Sequence, residues 1–260
     1  MLPTPDTSHV PYERVYEPAE DSFLLLDTLS SAAETQFLRD SFSAASSPTA
    51  VPFVIELGTG SGVVLAFVTA HAKALFGTNR ILTAGVDVNA FACRATITTV
   101  AKAQADSVAE GGGGEAAHGI CLGSFMGDLA APLRRQSVDV LVFNPPYVPT
   151  SEMPSRPGAF ADDLPDETSF DDDSYLLSLS YAGGRDGMET TDRLIEALPE
   201  ILSPRGCAYI LLCAQNKPGE VKARIRALGP EWKAVTVGSS GKTAGWEKLQ
   251  IVRIWRHTAP

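Results

Sequence analysis

Pro52-Phe53-Val54-Ile55-Glu56-Leu57-Gly58-Thr59-Gly60-Ser61-Gly62 decides the fold. Its first six residues form a short, largely apolar run, which reads as a strand buried on both faces. Three glycines in five positions then turn the chain, and Val63 to Phe76 has the apolar spacing of a helix. Strand, glycine turn and helix in that order open a doubly wound sheet, whose ligand sits at the turn. The turn alone leaves the ligand open. A P-loop is excluded because no Gly-Lys-Ser/Thr follows. A dinucleotide site needs an acidic residue roughly 20 positions further on, and Asp87 serves that role somewhat late.

Working outward, the same alternation repeats. Ile81 to Val86 is a strand ending at Asp87, and Ala90 to about Ala109 a helix. His118 to Phe125 is a third strand, ending near Asp128, and Val138 to Phe143 a fourth. After Ala182-Gly183-Gly184-Arg185-Asp186-Gly187 the spacing predicts a helix from Thr190 to Leu202. Ser203-Pro204-Arg205-Gly206 turns into a strand from Cys207 to Cys213, followed by a helix from Lys217 to Leu228. Two final strands cover about Ala234 to Val237 and Lys248 to Trp255, with no helix between them. The pattern predicts an α/β fold with a doubly wound, mostly parallel seven-stranded sheet and an antiparallel C-terminal hairpin. Upstream, Pro18 to Arg39 reads as one helix, an N-terminal helical extension. Residues 1–14 read as a flexible arm and 15–260 as one domain, interrupted by loop insertions at 40–50 and 105–118. The latter includes the glycine run 111–114. Residues 149–174 read as a long acidic loop carrying Asp162, Asp163, Asp166, Glu167, Asp171, Asp172 and Asp173.

The strand ends narrow the chemistry. Glu56 lies in the first turn, where a carboxylate repels a pyrophosphate and attracts a cation. Asp87 and Asp128 end the next two strands. Three acidic strand ends suit S-adenosylmethionine, which is cationic and offers an amine, a ribose diol and an adenine. At the end of the fourth strand stands Asn144-Pro145-Pro146-Tyr147. Proline cannot donate to a ladder, so the sheet stops there. What remains is a stiff turn with free carbonyls, one carboxamide and one flat ring, the parts that hold a planar nitrogen group. The plainer reading, a mere strand-terminating turn, leaves its coincidence with the acidic strand ends unexplained.

Glu56 to Gly62, Asp87, Asp128-Leu129 and Asn144 to Tyr147 together resemble a class I S-adenosylmethionine-dependent methyltransferase of the HemK branch, which modifies glutamine in release factors. Val15 to Asp27, which contains Tyr16-Glu17-Pro18-Ala19-Glu20-Asp21-Ser22, and Ala182 to Gly187 resemble its eukaryotic and archaeal member. The resemblance spans about residues 15–255 and implies a Rossmann-like sheet with the third strand at its edge. It implies that Glu56, Gly58 and Gly60 line the methionine moiety, Asp87 the ribose, and Asp128 and Leu129 the adenine. Tyr16, Pro18 and Ser22 would close the cofactor pocket, with Asn144 beside it. Asn144, Pro145, Pro146 and Tyr147 would carry the transfer to a glutamine of a class 1 release factor, on which this chain's net acidity leads one to expect a basic surface. It further implies a heterodimer with a small zinc-binding activator subunit, docked on the third-strand edge at Gly119, Ile120, Cys121 and Leu122. A lysine (histone) methyltransferase with the same site, an adenine N6-methyltransferase of DNA or RNA, and a non-catalytic cofactor-binding subunit are the alternatives.

Composition trims these. A formal net charge of −10 repels phosphate backbones and disfavours nucleic acid. Cys93, Cys121, Cys207 and Cys213 form no C-x-x-C pair and no His lies at ligand spacing, so this chain is expected to hold no metal and its thiols to be free. No window reaches the roughly 20 apolar residues of a membrane span, and no signal peptide opens the chain. The expected location is cytoplasmic, with the nucleus as a second compartment.

Overall fold

The computed structural model describes residues 2–42, 51–110, 118–155, 169–241 and 248–257. Strands β1 (Phe53–Leu57), β2 (Leu82–Asp87), β3 (Ile120–Met126), β4 (Val138–Phe143), β5 (Leu202–Leu212), β6 (Trp232–Ser239) and β7 (Gln250–Arg256) form one sheet, in the order β3-β2-β1-β4-β5-β7-β6. The first five are parallel, and β7 enters antiparallel between β5 and β6. This is the expected sheet, with β3 at its edge. Strand order reverses between β1 and β4, and a doubly wound sheet holds its ligand at that point.

The helices are α1 (Glu20–Ser30), α2 (Ala32–Phe42), α3 (Val63–Ala70), α4 (Ala72–Phe76), α5 (Ala90–Glu110), α6 (Phe170–Ser178), α7 (Glu189–Ile201) and α8 (Pro218–Arg226). Side chains alternate across each strand, so Val54, Val140, Val142, Tyr209 and Leu211 pack with α1 to α4. Ile55, Leu141, Phe143, Ala208 and Ile210 pack with α7 and α8 on the other face. The sheet is covered on both sides, as strands apolar on both faces require.

Several expectations are corrected. The helix from Pro18 to Arg39 is two helices, broken at Ser31 (φ −62°, ψ 151°). Ser31 Oγ accepts the Glu34 N–H at 3.3 Å, an N-cap for α2. The break aims buried Glu34 at the sheet, where it accepts from Tyr209 Oη at 2.8 Å and Arg253 Nη1 at 2.6 Å. Val63 to Phe76 is likewise two helices, parted at His71 (φ −101°, ψ 22°). The arm is no loose tail over its described residues. Asp6 pairs with Lys102, His71 Nε2 meets the Pro3 carbonyl at 2.9 Å, and Val10 and Val15 pack with Phe91 and Ala95 of α5.

Asp171, Asp172 and Asp173 do not lie in a loop. Ser169 and Asp172 make a reciprocal capping box and start α6. Asp162, Asp163, Asp166, Glu167 and the glycine run 111–114 lie outside the described residues, as does 43–50. Finally, β5 begins at Leu202 rather than Cys207. Val138 pairs with Leu202 and Val140 with Cys207, so the Ser203 to Gly206 turn loops out of a continuing strand.

Candidate active site

The parallel register sets Leu57 beside Val86 and Phe143, which brings the ends of β2, β1 and β4 side by side. A cavity of about 220 Å³ opens there. Glycines make its floor possible: Gly58 (φ +61°) and Gly60 (φ +51°) hold left-handed backbone that other residues rarely adopt. Around them lie Glu56, Asp87 and Asn89 from the strand ends, and Val15, Tyr16 and Ser22 from the N-terminal segment. Phe143, Asn144 and Pro146 come from the β4 turn, and Leu176 and Leu179 from α6 and its end.

Two carboxylates are buried in this one cavity. Glu56 Oε2 accepts the Leu65 N–H at 2.8 Å. Burial pushes its pKa well above the usual carboxylate range, opposed by that N–H and reinforced by the negative Asp87. Asp87 accepts Gly60 N–H on Oδ2 at 3.0 Å and Asn89 N–H on Oδ1 at 2.8 Å. Its pKa is also raised, burial outweighing those donors. Arg193 is the one basic residue in the lining among the described residues, and it already pairs with Asp128. The floor is therefore built for a cation brought from outside.

Of the residues expected from sequence, Tyr16, Ser22, Glu56, Gly58, Gly60, Asp87, Asp128, Leu129, Asn144 and Pro146 line the cavity together. Pro18, Pro145 and Tyr147 do not. The Tyr147 ring packs against the core of α1 to α4 instead, and its hydroxyl donates to Asp21 Oδ2 at 3.3 Å. Tyr16 donates to the same oxygen at 2.9 Å. Asp21, buried and absent from the expected set, thus ties the N-terminal segment to the β4 turn; only its position inside the Tyr16 to Ser22 stretch hinted at it. Asn89 was also missed. It caps α5 through Phe91 N–H at 2.9 Å, and an asparagine two residues past a strand-end aspartate carries that N-cap signal. Arg193, on α7, left no local trace.

Asn144 sits at the mouth of this arrangement. Its Oδ1 is buried and has no hydrogen-bond partner among the described residues. Leaving such a carbonyl unpaired costs about 1–3 kcal/mol, a cost that an incoming N–H donor removes. No group of His, Cys, Asp or Glu among the described residues is arranged to hold a metal ion. No helix among them is long and apolar enough to cross a membrane.

Comparison with known proteins adds names to this geometry. No protein-family model matches the chain. It is 32% identical to mouse methyltransferase HEMK2, covering 97% of this chain and 96% of that one. It is 30% identical to the eRF1 methyltransferase catalytic subunit mtq2 of Schizosaccharomyces pombe, over 98% and 96% of the two chains. A putative protein N5-glutamine methyltransferase of Methanocaldococcus jannaschii is 29% identical over 94% and 93%. Among solved structures, the hMettl16 catalytic domain bound to a MAT2A 3′UTR hairpin superposes with a TM-score of 0.52 at 15% identity. It covers 96% of this chain and 76% of that one, a likeness of fold.

Proposed function

The chain belongs to the family of the HEMK2 and eRF1 methyltransferases, and from that premise we propose that it methylates a glutamine side-chain amide, at N5, in a translation release factor. The observation that carries the reading is the unpaired, buried Oδ1 of Asn144 beside a cavity with two buried carboxylates.

The lining fits S-adenosylmethionine by its chemistry. Glu56, with Gly58 and Gly60, would hold the methionine end, where the carboxylate meets positive charge. Asp87 would accept from the ribose hydroxyls, and Asp128 and Leu129 would meet the adenine. Tyr16 and Ser22 close the adjacent wall. When bound, the cofactor supplies an electrophilic sulfonium methyl. The protein's task is to present the nitrogen. A carboxamide nitrogen is a poor nucleophile because its lone pair is delocalised into its carbonyl. Asn144 Oδ1 would accept one N–H and the carbonyl of Pro145, which adjoins the cavity between lining residues Asn144 and Pro146, would accept the other, turning the lone pair toward the methyl and enriching the nitrogen. The nitrogen would gain the N–C bond as the S–C bond breaks and then shed one N–H proton to water, so catalysis here is orientation and electrostatics, with no strong base. We expect Asn144→Ala to bind cofactor within about twofold of wild type yet lose about 100-fold or more in kcat. Wild-type turnover in that variant would sink the mechanism.

The acceptor follows from the relatives: one is named for eRF1, another for protein N5-glutamine. A net charge of −10 suits a basic protein surface and opposes nucleic acid. Offering a release factor, a histone and DNA in parallel with labelled cofactor tests this. Label on the release factor glutamine is expected; label on the histone or DNA alone would overturn the choice. The S. pombe relative is named a catalytic subunit. We extend the proposal to a small zinc-binding activator that adds a strand to β3, whose Ile120 and Leu122 are exposed at the sheet edge. Four free thiols, three of them buried, support a reducing compartment such as the cytoplasm.

A further inference from the structure

Asn216 lies in the short turn Ala214–Asn216 after β5, only 2% exposed. Its Nδ2 stands 3.0 Å from the Tyr147 carbonyl, 2.9 Å from that of Asp186 and 3.3 Å from that of Gly187. Its Oδ1 accepts the Cys213 N–H at 2.7 Å. One carboxamide therefore joins the end of β5, the Gly183 to Gly187 loop and the last residue of the Asn144 to Tyr147 turn. The loop presses on the same turn. A Cβ on Gly187 would sit 2.0 Å from the Tyr147 carbonyl oxygen, and one on Gly183 2.3 Å from that of Pro146. Backbone bonds between Gly183 N–H and the Val148 carbonyl, and Val148 N–H and the Tyr181 carbonyl, at 2.8 and 2.9 Å, complete the seat. The acceptors of the turn are thus divided. The Tyr147 carbonyl is committed inward, while Asn144 Oδ1 is left unpaired at the cavity.

We propose that Asn216 is a positioning residue for methyl transfer: by gripping the Tyr147 carbonyl it fixes the direction in which Asn144 and Pro145 present their oxygens. This rests on reading the turn as the amide-binding group. In-line displacement depends steeply on that direction, and a shift of about 1 Å costs about 100-fold. Neither Asn216 nor the loop lines the cofactor cavity, so disturbing the grip should leave cofactor binding alone.

Asn216→Asp keeps the shape and the acceptor for Cys213 N–H but replaces the donors with an oxygen facing three carbonyls. The expected result is a fall of about 10- to 100-fold in kcat. The KM and Kd for S-adenosylmethionine should stay within about twofold. Gly187→Ala displaces the same carbonyl from the loop side and should give the same split, carrying the test if the first variant does not fold. Gly219→Ala, three residues beyond Asn216 with nothing within 4 Å of the added carbon, is the control and should match wild type. Wild-type kcat in Asn216→Asp, a loss shared equally by cofactor affinity, or failure of both variants to fold would each overturn the proposal. Asn144→Ala is assayed alongside. If it retains full turnover, the reading of the turn itself fails; if it is inactive while Asn216→Asp is not, only the grip fails.

Discussion

Glu56 and Asp87 share a cavity in which Arg193, the single basic lining residue among those described, is already paired with Asp128. With burial and the Asp87 charge acting on it, Glu56 keeps its proton above the pH at which an exposed carboxylate has lost it. The folded pKa is raised, so its contribution to stability is complete below the unfolded carboxylate pKa and lost as pH rises through the folded value. A bound cation reverses the preference, because the ionised carboxylate is then the favoured form. Cofactor binding should therefore expel a proton and tighten as pH rises toward the raised pKa. Titration calorimetry in two buffers of different ionisation enthalpy should give different heats; equal heats would refute the linkage. Glu56→Gln should shrink the difference to what Asp87 contributes and weaken binding by about 10- to 100-fold, the worth of one hydrogen bond to a charged group.

Arg14 shows how the elements close the site. Its carbonyl accepts from Asn89 Nδ2 at 2.7 Å, its guanidinium lies 4.9 Å from the Phe91 ring centroid, and its Nε lies 3.1 Å from Asp173 Oδ1 of α6. The arm is thereby latched to α6 beside Val15 and Leu176, which line the cavity. Arg14→Ala and Asp173→Ala should each raise the cofactor Kd about 5-fold, with kcat at saturation little changed. The double variant should be no weaker than either single; additive effects would show that the two residues act separately. None of this was legible in the sequence, for a physical reason. Strands, the glycine turn and most helices announce themselves through composition and period, which are local. The breaks at Ser31 and before α6 were local too, written as Ser31-x-x-Glu34 and Ser169-x-x-Asp172, but the single-helix reading rested on the start signals at Pro18 to Asp21, and the run of aspartates masked the second box. Asp21 with Tyr147, Arg14 with Asp173 and Asn216 with Tyr147 meet across 69 or more residues and carry no periodic signal. The cavity-floor residues were within reach of the sequence because they sit at strand ends, which the alternation of strand and helix locates.

Taken whole, the sheet has two unlike edges. β6 exposes Lys233, Thr236 and one large apolar side chain, Val235 (36% exposed), whereas β3 exposes four, Ile120 (60%), Leu122 (49%), Phe125 (49%) and Met126 (63%). An apolar edge strand is a template for pairing with another chain. Two features restrain it. The pairing of β2 with β3 skips between Thr83 and Gly85, opposite a bulge at Leu122 and Gly123 (φ +112°), and the chain carries a net charge of −10. Charge repulsion between copies is screened over about 10 Å at 0.1 M salt and about 3 Å at 1 M, while apolar pairing is not. The isolated chain should therefore associate more as salt is raised, in sedimentation velocity runs from about 0.1 to 1 M NaCl. Ile120→Lys with Leu122→Lys should keep it monomeric throughout. If the unaltered chain stays monomeric across that range, the bulge alone guards the edge, and the case for a partner strand on β3 loses its support. If it associates and the lysine variant does not, the same two substitutions should also prevent an activator subunit from docking, while leaving the cofactor Kd within about twofold of wild type, because neither residue lines the cavity.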